Sequence, residues 1–390
     1  MALDLSKIPD IRTYLSGTPF DAAHIESLSG GYANFIFRLH LVQAYKGRST
    51  VILKHGTGYV GSGDGRIPFS LDRQMFEVRA LEWTTSWLPE DSPVTVPHVH
   101  LFDDKANVII MDDCGLGTVP LKKLFIDGNY SVASAKKIGE ALGHFIRLVH
   151  VNGNVDKGIP DLFKKNAQAR QISAFVTYGR LVSTLNGQDH LPALSDPPLD
   201  LDAVGNIASK MQSEIMSAET SVSPNFSTNP SLDLIVVQFV MGDFWPGNIL
   251  VSQDENPRIS VIDWEMAKTG LPGQDLGQFC AELRLLGHFY PASTPTTHDL
   301  TYSFLRAYSP SRDISLARYV ITHMGAHLIA WTPRIPWGSD EKTKLVVREG
   351  VEYLVGPSIL DSPCSGSNDE KLGKWLLETP ILALAIGYQL

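Results

Sequence analysis

The stretch Val240–Glu265, VMGDFWPGNILVSQDENPRISVIDWE, constrains this chain more than any other. Asp243 is followed five positions later by Asn248 and then by the apolar run Ile249-Leu250-Val251. A polar turn, Gln253 to Arg258, leads to a second apolar run, Ile259 to Ile262, that stops at Asp263. Two short β-prone runs joined by a polar loop read as a hairpin. Its open end then carries Asn248 and Asp263, with Asp243 just upstream. Mg²⁺ prefers oxygen ligands and shares them with substrate phosphates, a role that fits Asn248 and Asp263. A carboxylate that holds no metal orients an attacking hydroxyl and takes its proton, which fits Asp243. Singly, each of the three reads as an ordinary turn residue. The joint pattern, D-x4-N, strand, turn, strand, D-W-E, is harder to obtain from turn chemistry alone and points to phosphoryl transfer.

With 390 residues and 43% hydrophobic content the chain can bury a large core, and its length favours two domains. A formal charge of −9 argues against nucleic acid or an anionic membrane as partner and is compatible with a cationic substrate. Cys114, Cys280 and Cys364 are odd in number, lack the spacing of a zinc site, and read as free thiols in a reducing compartment. The opening MALDLSKIPDIRTYL lacks a basic head and apolar core, and the final ILALAIGYQL is too short to span a bilayer. A cytoplasmic location, with no membrane and no nucleic acid as partner, is the expectation.

Ile11 to Leu15 reads as a short leading helix. His24 to Leu41 gives a strand, a Ser-Gly-Gly turn and a second strand with Phe35, Phe37 and Leu39 on one face. Gly30 and Gly31 in that turn either let backbone amides approach phosphates or simply close a hairpin. The next strand, Ser49 to Lys54, ends in a lysine placed to face the same cleft, the candidate for the α/β-phosphate contact. Met75 to Trp83 carries apolar residues at helical spacing, with Glu77 as the expected partner of Lys54 and Glu82 as the second choice. Gly56 to Gly61 spells G-x-G-x-x-G, but a dinucleotide-binding fold needs a helix opening at the third glycine, and SGDGRIPFS cannot start one. Residues 55–72 therefore read as a loop over the site. Val108 to Met111 is a buried strand, followed by Asp112-Asp113.

MGDFWPGNIL and VIDWE resemble the catalytic loop and metal segment of the aminoglycoside phosphotransferase and choline kinase-like superfamily, commonly H-G-D-x4-N followed by D-[FWP]-E. They match at every position but one, Met241 standing where a loop-bracing His is usual. The resemblance implies a bilobal, protein-kinase-like α+β fold with an antiparallel N-lobe sheet plus helix and a mainly helical C-lobe. It implies ATP and Mg²⁺, with Asp243 as base, Asn248 and Asp263 on metal, Glu265 on a second metal or the acceptor, and Lys54 with Glu77 on the phosphates under Gly30-Gly31. Met111, Asp112 and Asp113 are then the hinge that offers groups to adenine, and Asp275 braces the loop.

The expected division is an N-lobe over 1–111, a C-lobe over 112–360 and a tail over 361–390. Lys136 to His150 places Ile138, Leu142, Phe145 and Val149 on one face of an amphipathic helix, with His144 and His150 as packing or surface residues. Residues 151–235 carry helical text broken by a Pro-containing stretch, Leu191 to Leu199. THMGAHLIAWTPRIPWGSDE, residues 322–341, together with MGDFWPGNIL, resembles the methylthioribose kinase branch and the fungal hydroxytryptamine kinase-like proteins within it. Trp264, Trp331 and Trp337 then form an aromatic wall for a ring or cationic amine, or three ordinary core residues. Glu282 lines the acceptor pocket or lies on the surface. The function implied is transfer of the ATP γ-phosphate to a hydroxyl of a sugar, amino alcohol or aromatic hydroxy-amine. The competing expectation, carried by Met241 alone, is a nucleotide-binding pseudokinase or regulatory protein.

Overall fold

A computed structural model describes residues 3–28, 33–60, 67–128, 130–156, 158–189, 199–218, 237–254, 256–309 and 314–356. The chain divides into two compact units, the first formed by Met1–Thr118 with Ser260–Met266 and the second by the remaining described residues. The sequence placed the boundary after Met111. It falls later because Asp112 and Asp113 are tied into the first unit by ion pairs to Arg48, His100 and Arg38. The short segment around Asp263 also packs with the first unit. The tail over 361–390, with Cys364, lies outside the described residues.

The first unit contains α1 (Ile8–Leu15), β1 (Ala22–Leu28), β2 (Asn34–Tyr45), β3 (Arg48–Gly56), β4 (Tyr59–Val60), β5 (Ile67–Pro68), α2 (Asp72–Trp87), β6 (Val94–Thr95), β7 (Val99–Asp103) and β8 (Val108–Asp112). Its main sheet is antiparallel with strand order β1-β2-β3-β8-β7. β2 and β3 meet through the two-residue turn Lys46-Gly47, which aligns Ile36 with Lys54 and Leu39 with Val51. Phe37, Leu39, Val51, Leu53, Val108 and Ile110 fill one side of the sheet against Ile11 and Leu15 of α1. Phe35, expected on the same face, is 39% exposed, because it sits at the open end of β2. β4 and β5 pair with each other, so the flanks of residues 61–66 form a small ladder rather than a loop. The third glycine of the rejected dinucleotide-binding pattern, Gly61, lies outside the described residues.

In α2 the buried positions include Phe76, Ala80, Leu81 and Thr84, but also Arg73, Gln74 and Glu77. A helix ordinarily buries an apolar stripe; this one turns charged groups inward.

Beyond β9 (Thr118–Pro120), the second unit is mainly helical: α3 (Leu121–Ile126), α4 (Val132–Val155), α5 (Gly158–Phe163), α6 (Ala167–Ala174), α7 (Leu181–Leu185), α8 (Leu201–Ser217), then β10 (Gln238–Val240) and β11 (Ile249–Ser252). After β12 (Ile259–Val261) come β13 (Lys268–Gly270), α9 (Gly273–Phe289), α10 (Thr294–Tyr308), α11 (Ile314–Trp331) and α12 (Asp340–Val355). α4 is longer than the sequence pattern predicts and buries Ile138, Leu142, Phe145 and Val149 as expected. It packs on α10 through Gly139 and Gly143: a Cβ there would lie 2.4 Å from the Leu300 carbonyl oxygen and 2.2 Å from that of Phe304. α7, α8, α11 and α12 share a second apolar core that includes Leu181, Val204, Met211, Ile329, Val347 and Leu354. The α+β class, with an antiparallel sheet in one unit and mostly helices in the other, is the expected one. Among the described residues no helix is long and apolar enough to cross a membrane.

Candidate active site

In the second unit, β10 pairs antiparallel with β13, and the chain leaves β10 into the turn that carries Asp243. Gly242 has φ 81°, a left-handed conformation that glycine adopts without cost. Phe244, fully buried, pins the turn among Phe279 of α9 and Phe304 of α10, with ring centroids 5.0 and 6.0 Å away. A short 3₁₀ turn, Pro246–Asn248, then delivers Asn248 just before β11.

Asp243 is gripped by two neutral amides. Asn248 Nδ2 donates to its Oδ2 at 2.9 Å, and Gln278 Nε2 of α9 donates to its Oδ1 at 2.7 Å. Because the Asn248 amine faces Asp243, its carbonyl oxygen remains for a cation or solvent. The turn beyond β11 is closed by Ser252 N–H donating to Arg258 O at 3.0 Å and Arg258 N–H to Ser252 Oγ at 2.9 Å.

The backbone before Asp243 is fastened by Asp275, which is fully buried at the start of α9. Met241 N–H donates to its Oδ2 at 2.9 Å and Gly242 N–H to its Oδ1 at 2.8 Å. His150, from the far end of α4, lies with Nε2 3.0 Å from the same carboxylate and Nδ1 3.0 Å from the Tyr308 hydroxyl. Since a carboxylate only accepts, Nε2 is the donor there. His150 is therefore buried, with both ring nitrogens engaged, and His144 is exposed, in line with the expectation of packing or surface residues. Met241 itself is fully buried, its side chain apolar and its amide bound.

In the first unit, Lys54 of β3 is 3% exposed and lies with Nζ 2.8 Å from the Glu77 carboxylate, 2.6 Å from Asp263 Oδ1 and 3.6 Å from Glu265 Oε2. Glu265 also accepts from Asn34 Nδ2 at 2.8 Å and Arg73 Nε at 3.1 Å. Glu82, the second choice, instead pairs with Arg79 on the exposed side of α2. Asp263 has φ 65°, an uncommon backbone state for a residue other than glycine and one often held at functional sites.

Glu77, Asp263 and Glu265 each offer an oxygen within 4.8 Å of the others. Among the described residues three carboxylates face two cations, Lys54 and Arg73, a surplus of one negative charge when all three carboxylates are ionised. Burial pushes the Glu77 carboxyl up, with Asp263 and Glu265 adding to the push against the pull of Lys54. Burial also acts against the Lys54 ammonium, but its carboxylates outweigh it and raise its pKa. A hard, all-oxygen donor set with surplus negative charge fits a divalent cation such as Mg²⁺.

The hinge candidates are not a solvated turn. Asp113 is almost fully buried and accepts from Arg38 Nε at 2.7 Å, while Asp112 takes Arg48 and His100. The backbone of Met111 lies in β8 between β3 and β7. Gly30 and Gly31 lie outside the described residues.

Trp264 corrects the expected aromatic wall: it is fully buried, with its indole N–H donated to Val261 O at 3.1 Å, and offers no surface to a ligand. The other two tryptophans belong to the second unit, around Glu282. Glu282, 3% exposed, accepts from His327 Nε2 at 3.0 Å. Its Oε2 has Lys122 Nζ at 3.6 Å and no hydrogen bond. Burial raises this carboxyl, but His327 and Lys122 outweigh it and hold the pKa below the ordinary value. The Lys122 ammonium stands 4.0 Å from the Trp337 ring centroid and 5.0 Å from that of Trp245. Trp337 stacks on Phe289, and Trp331 stacks on His327.

Asn34, Arg73, Lys122, Trp245 and Gln278 escaped the sequence reading. The one signal available was position: Trp245 and Asn34 flank the two loops already singled out.

Residues 233–311 match the model of the phosphotransferase enzyme family. A 4-hydroxytryptamine kinase of Psilocybe cyanescens is 28% identical over 365 residues, covering 90% of this chain and 93% of that protein. A methylthioribose kinase of Bacillus mycoides is 26% identical over 269 residues, 66% of this chain and 59% of that protein. The solved structure of a choline/ethanolamine kinase family protein from Mesorhizobium loti is similar with a TM-score of 0.46 and 13% identity, covering 97% of this chain and 99% of that one. The resemblance read from the sequence stands: the chain is similar to the aminoglycoside phosphotransferase and choline kinase-like superfamily, on the side of the hydroxytryptamine and methylthioribose kinases.

Proposed function

We propose that this chain is a small-molecule kinase that moves the γ-phosphate of ATP to the hydroxyl of an aromatic hydroxy-amine, with Mg²⁺ as its metal. The observation that carries the reading is the grip on Asp243. Two neutral amides fix both its oxygens and the Asp275 brace fixes its backbone, as a base that must meet a hydroxyl in one geometry requires. Asp243 accepts the hydroxyl proton as the oxygen attacks, while Lys54, steadied by Glu77, is the contact for the nucleotide phosphates. Asp263, Glu265 and the Asn248 oxygen are the residues assigned to the metal. When bound, Mg²⁺ neutralises charge on the transferring phosphates. Gly30-Gly31 over the phosphates and the chain around Met111–Asp113 at the adenine belong to the same reading.

The choice of acceptor rests on Lys122. An internal ammonium already sits on the faces of Trp337 and Trp245 beside the buried Glu282 carboxylate. These ring faces attract a cation through the quadrupole, and an amine acceptor would compete with Lys122 for them. Glu282 Oε2 has an acceptor site to spare. The 4-hydroxytryptamine kinase relative agrees with this chemistry. The free thiols of Cys114 and Cys280 agree with a reducing, cytoplasmic setting.

The test is ATP consumption with Mg²⁺ and a panel of 4-hydroxytryptamine, methylthioribose and choline, run beside Asp243→Asn and Glu282→Gln. Turnover with the aromatic hydroxy-amine is expected to fall about 100-fold or more in Asp243→Asn while ATP still binds. Glu282→Gln should raise KM for that amine alone. Turnover confined to choline or methylthioribose would remove the acceptor assignment and leave the kinase. ATP binding with no acceptor phosphorylated would favour the regulatory alternative.

A further inference from the structure

A cavity of about 420 Å³ opens in the second unit, lined by Phe175, Gly179, Arg180, Ser183, Asp189 and Arg334. None of these residues takes part in the sites described above. The volume lies in the range of small-ligand pockets. One wall is a π-helical turn, Phe175–Gly179, between α6 and α7. Such turns are rare and recur at functional positions.

The charges in the cavity do not balance. Arg334 is paired with Asp189 and with Thr184 Oγ1 at 3.0 Å, and Asp189 also accepts from the Thr184 hydroxyl at 3.1 Å. Among the described residues Arg180 has no carboxylate of its own: its Nε donates to the Val176 carbonyl at 2.7 Å, and its Nη2 is buried without a hydrogen-bond partner. Two guanidiniums among the described residues thus share one carboxylate. Burial and the neighbouring Arg334 together lower the Arg180 pKa to about 10, so it remains cationic at neutral pH with its charge poorly compensated. Phe175 stands at the rim, 61% exposed, an apolar ring beside a cationic interior. The Arg180 guanidinium lies 4.7 Å from the Trp331 ring centroid, and Trp331 stacks on His327, the partner of Glu282.

We propose that this cavity binds a small organic oxyanion, a carboxylate or a phosphate monoester on a compact apolar body, whose head pairs with Arg180 beside Arg334 and whose body rests on Phe175. Guanidinium forks recognise either head with charge-assisted hydrogen bonds. The proposal stands apart from the kinase reading and does not depend on it.

Calorimetric titration of the full chain with benzoate, phenyl phosphate, inorganic phosphate and benzylamine tests it. Benzoate or phenyl phosphate should bind at one site with a Kd below about 1 mM, while any binding of benzylamine, whose charge suits the acceptor site proposed above, is unchanged by Arg180→Gln. Which of the two binds tells a carboxylate ligand from a phosphate ester. Arg180→Gln, which keeps a donor for the Val176 carbonyl, should weaken that binding at least about tenfold. Phe175→Ser, at an exposed position, should weaken the aromatic anions and leave inorganic phosphate unchanged, and it serves as the second arm if Arg180→Gln does not fold. Benzylamine binding weakened by Arg180→Gln as much as that of the anions, anion binding indifferent to both variants, or no saturable binding of either aromatic anion would overturn the proposal.

Discussion

Around Asp243 the second unit supplies neutral donors: the amides of Asn248 and Gln278 on the carboxylate, and an Asp275 carboxylate under the two preceding backbone N–H groups. Around Asp263 the first unit supplies charge: Lys54 and Arg73 set among Glu77, Asp263 and Glu265. The difference fits the roles proposed for the two carboxylates, a base and a metal ligand. Dipolar donors fix the direction of both Asp243 oxygens, and the only cation this region adds among the interactions described is the buried Lys268 ammonium, drawn by Asp275 and Asp243 together. A cluster with surplus negative charge is costly until a further cation joins it, and that cost favours metal binding. Among the described residues one region is held by oriented dipoles, and the other carries a surplus of carboxylates over cations.

Lys54→Met is the harshest way to break the contrast. It leaves buried Glu77 against two other carboxylates, and folding stability should fall by about 3–5 kcal/mol, read by denaturant titration. Adding Glu77→Gln should recover part of that loss, and no recovery would mean the cluster is not coupled by charge. On the neutral side, Met241→His tests whether the loop lacks its usual brace. Asp275 already holds both backbone amides, so the imidazole would enter an apolar pocket, costing about 1–3 kcal/mol without raising kcat. A faster variant would show that the Asp275 brace is insufficient.

Gln278→Ala removes one of the two amides on Asp243. A fall in kcat of about tenfold with ATP affinity unchanged is expected, the size of one hydrogen bond to a charged group. The mildest test concerns Lys268, fully buried on β13, whose pKa is lowered from 10.5 to about 8 by burial and by Arg170, against the opposing pull of Asp275 and Asp243. Above that value the unfolded chain holds this proton and the folded chain does not, so the group's contribution to stability rises with pH. Stability should gain about 1 kcal/mol from this source between about pH 8 and about pH 9, a slope that Lys268→Met abolishes.

Legibility followed distance along the chain. Asp243 with Asn248, and Asp263 with Glu265, are local patterns in which turn and strand chemistry can be read directly. The Lys54–Glu77 contact was readable because a β-run ends at Lys54 and a helical spacing places Glu77 on the side that faces it. Arg73 was not, because a charge on a helix ordinarily faces solvent, and only the buried acidic partner Glu265, far along the chain, explains its inward turn. Gln278, Lys122 and His150 are likewise defined by partners distant in sequence. Trp264 failed for a different reason: tryptophan fills a core as readily as a binding wall, and its neighbours in sequence do not tell which.

The glycine pair of α4 acts as a gauge block. Gly139 and Gly143 let that helix touch the backbone of α10, and the contact fixes how far His150, further along the same rod, reaches between Tyr308 and Asp275. From Gly139 to His150 the rod extends roughly 16 Å at the helical rise per residue. A single methyl added at Gly139 would wedge the two rods apart and withdraw the imidazole from the carboxylate that steadies the Asp243 turn. The alignment proposed for Asp243 is thus a manufacturing tolerance, set at a joint that contains no functional group at all.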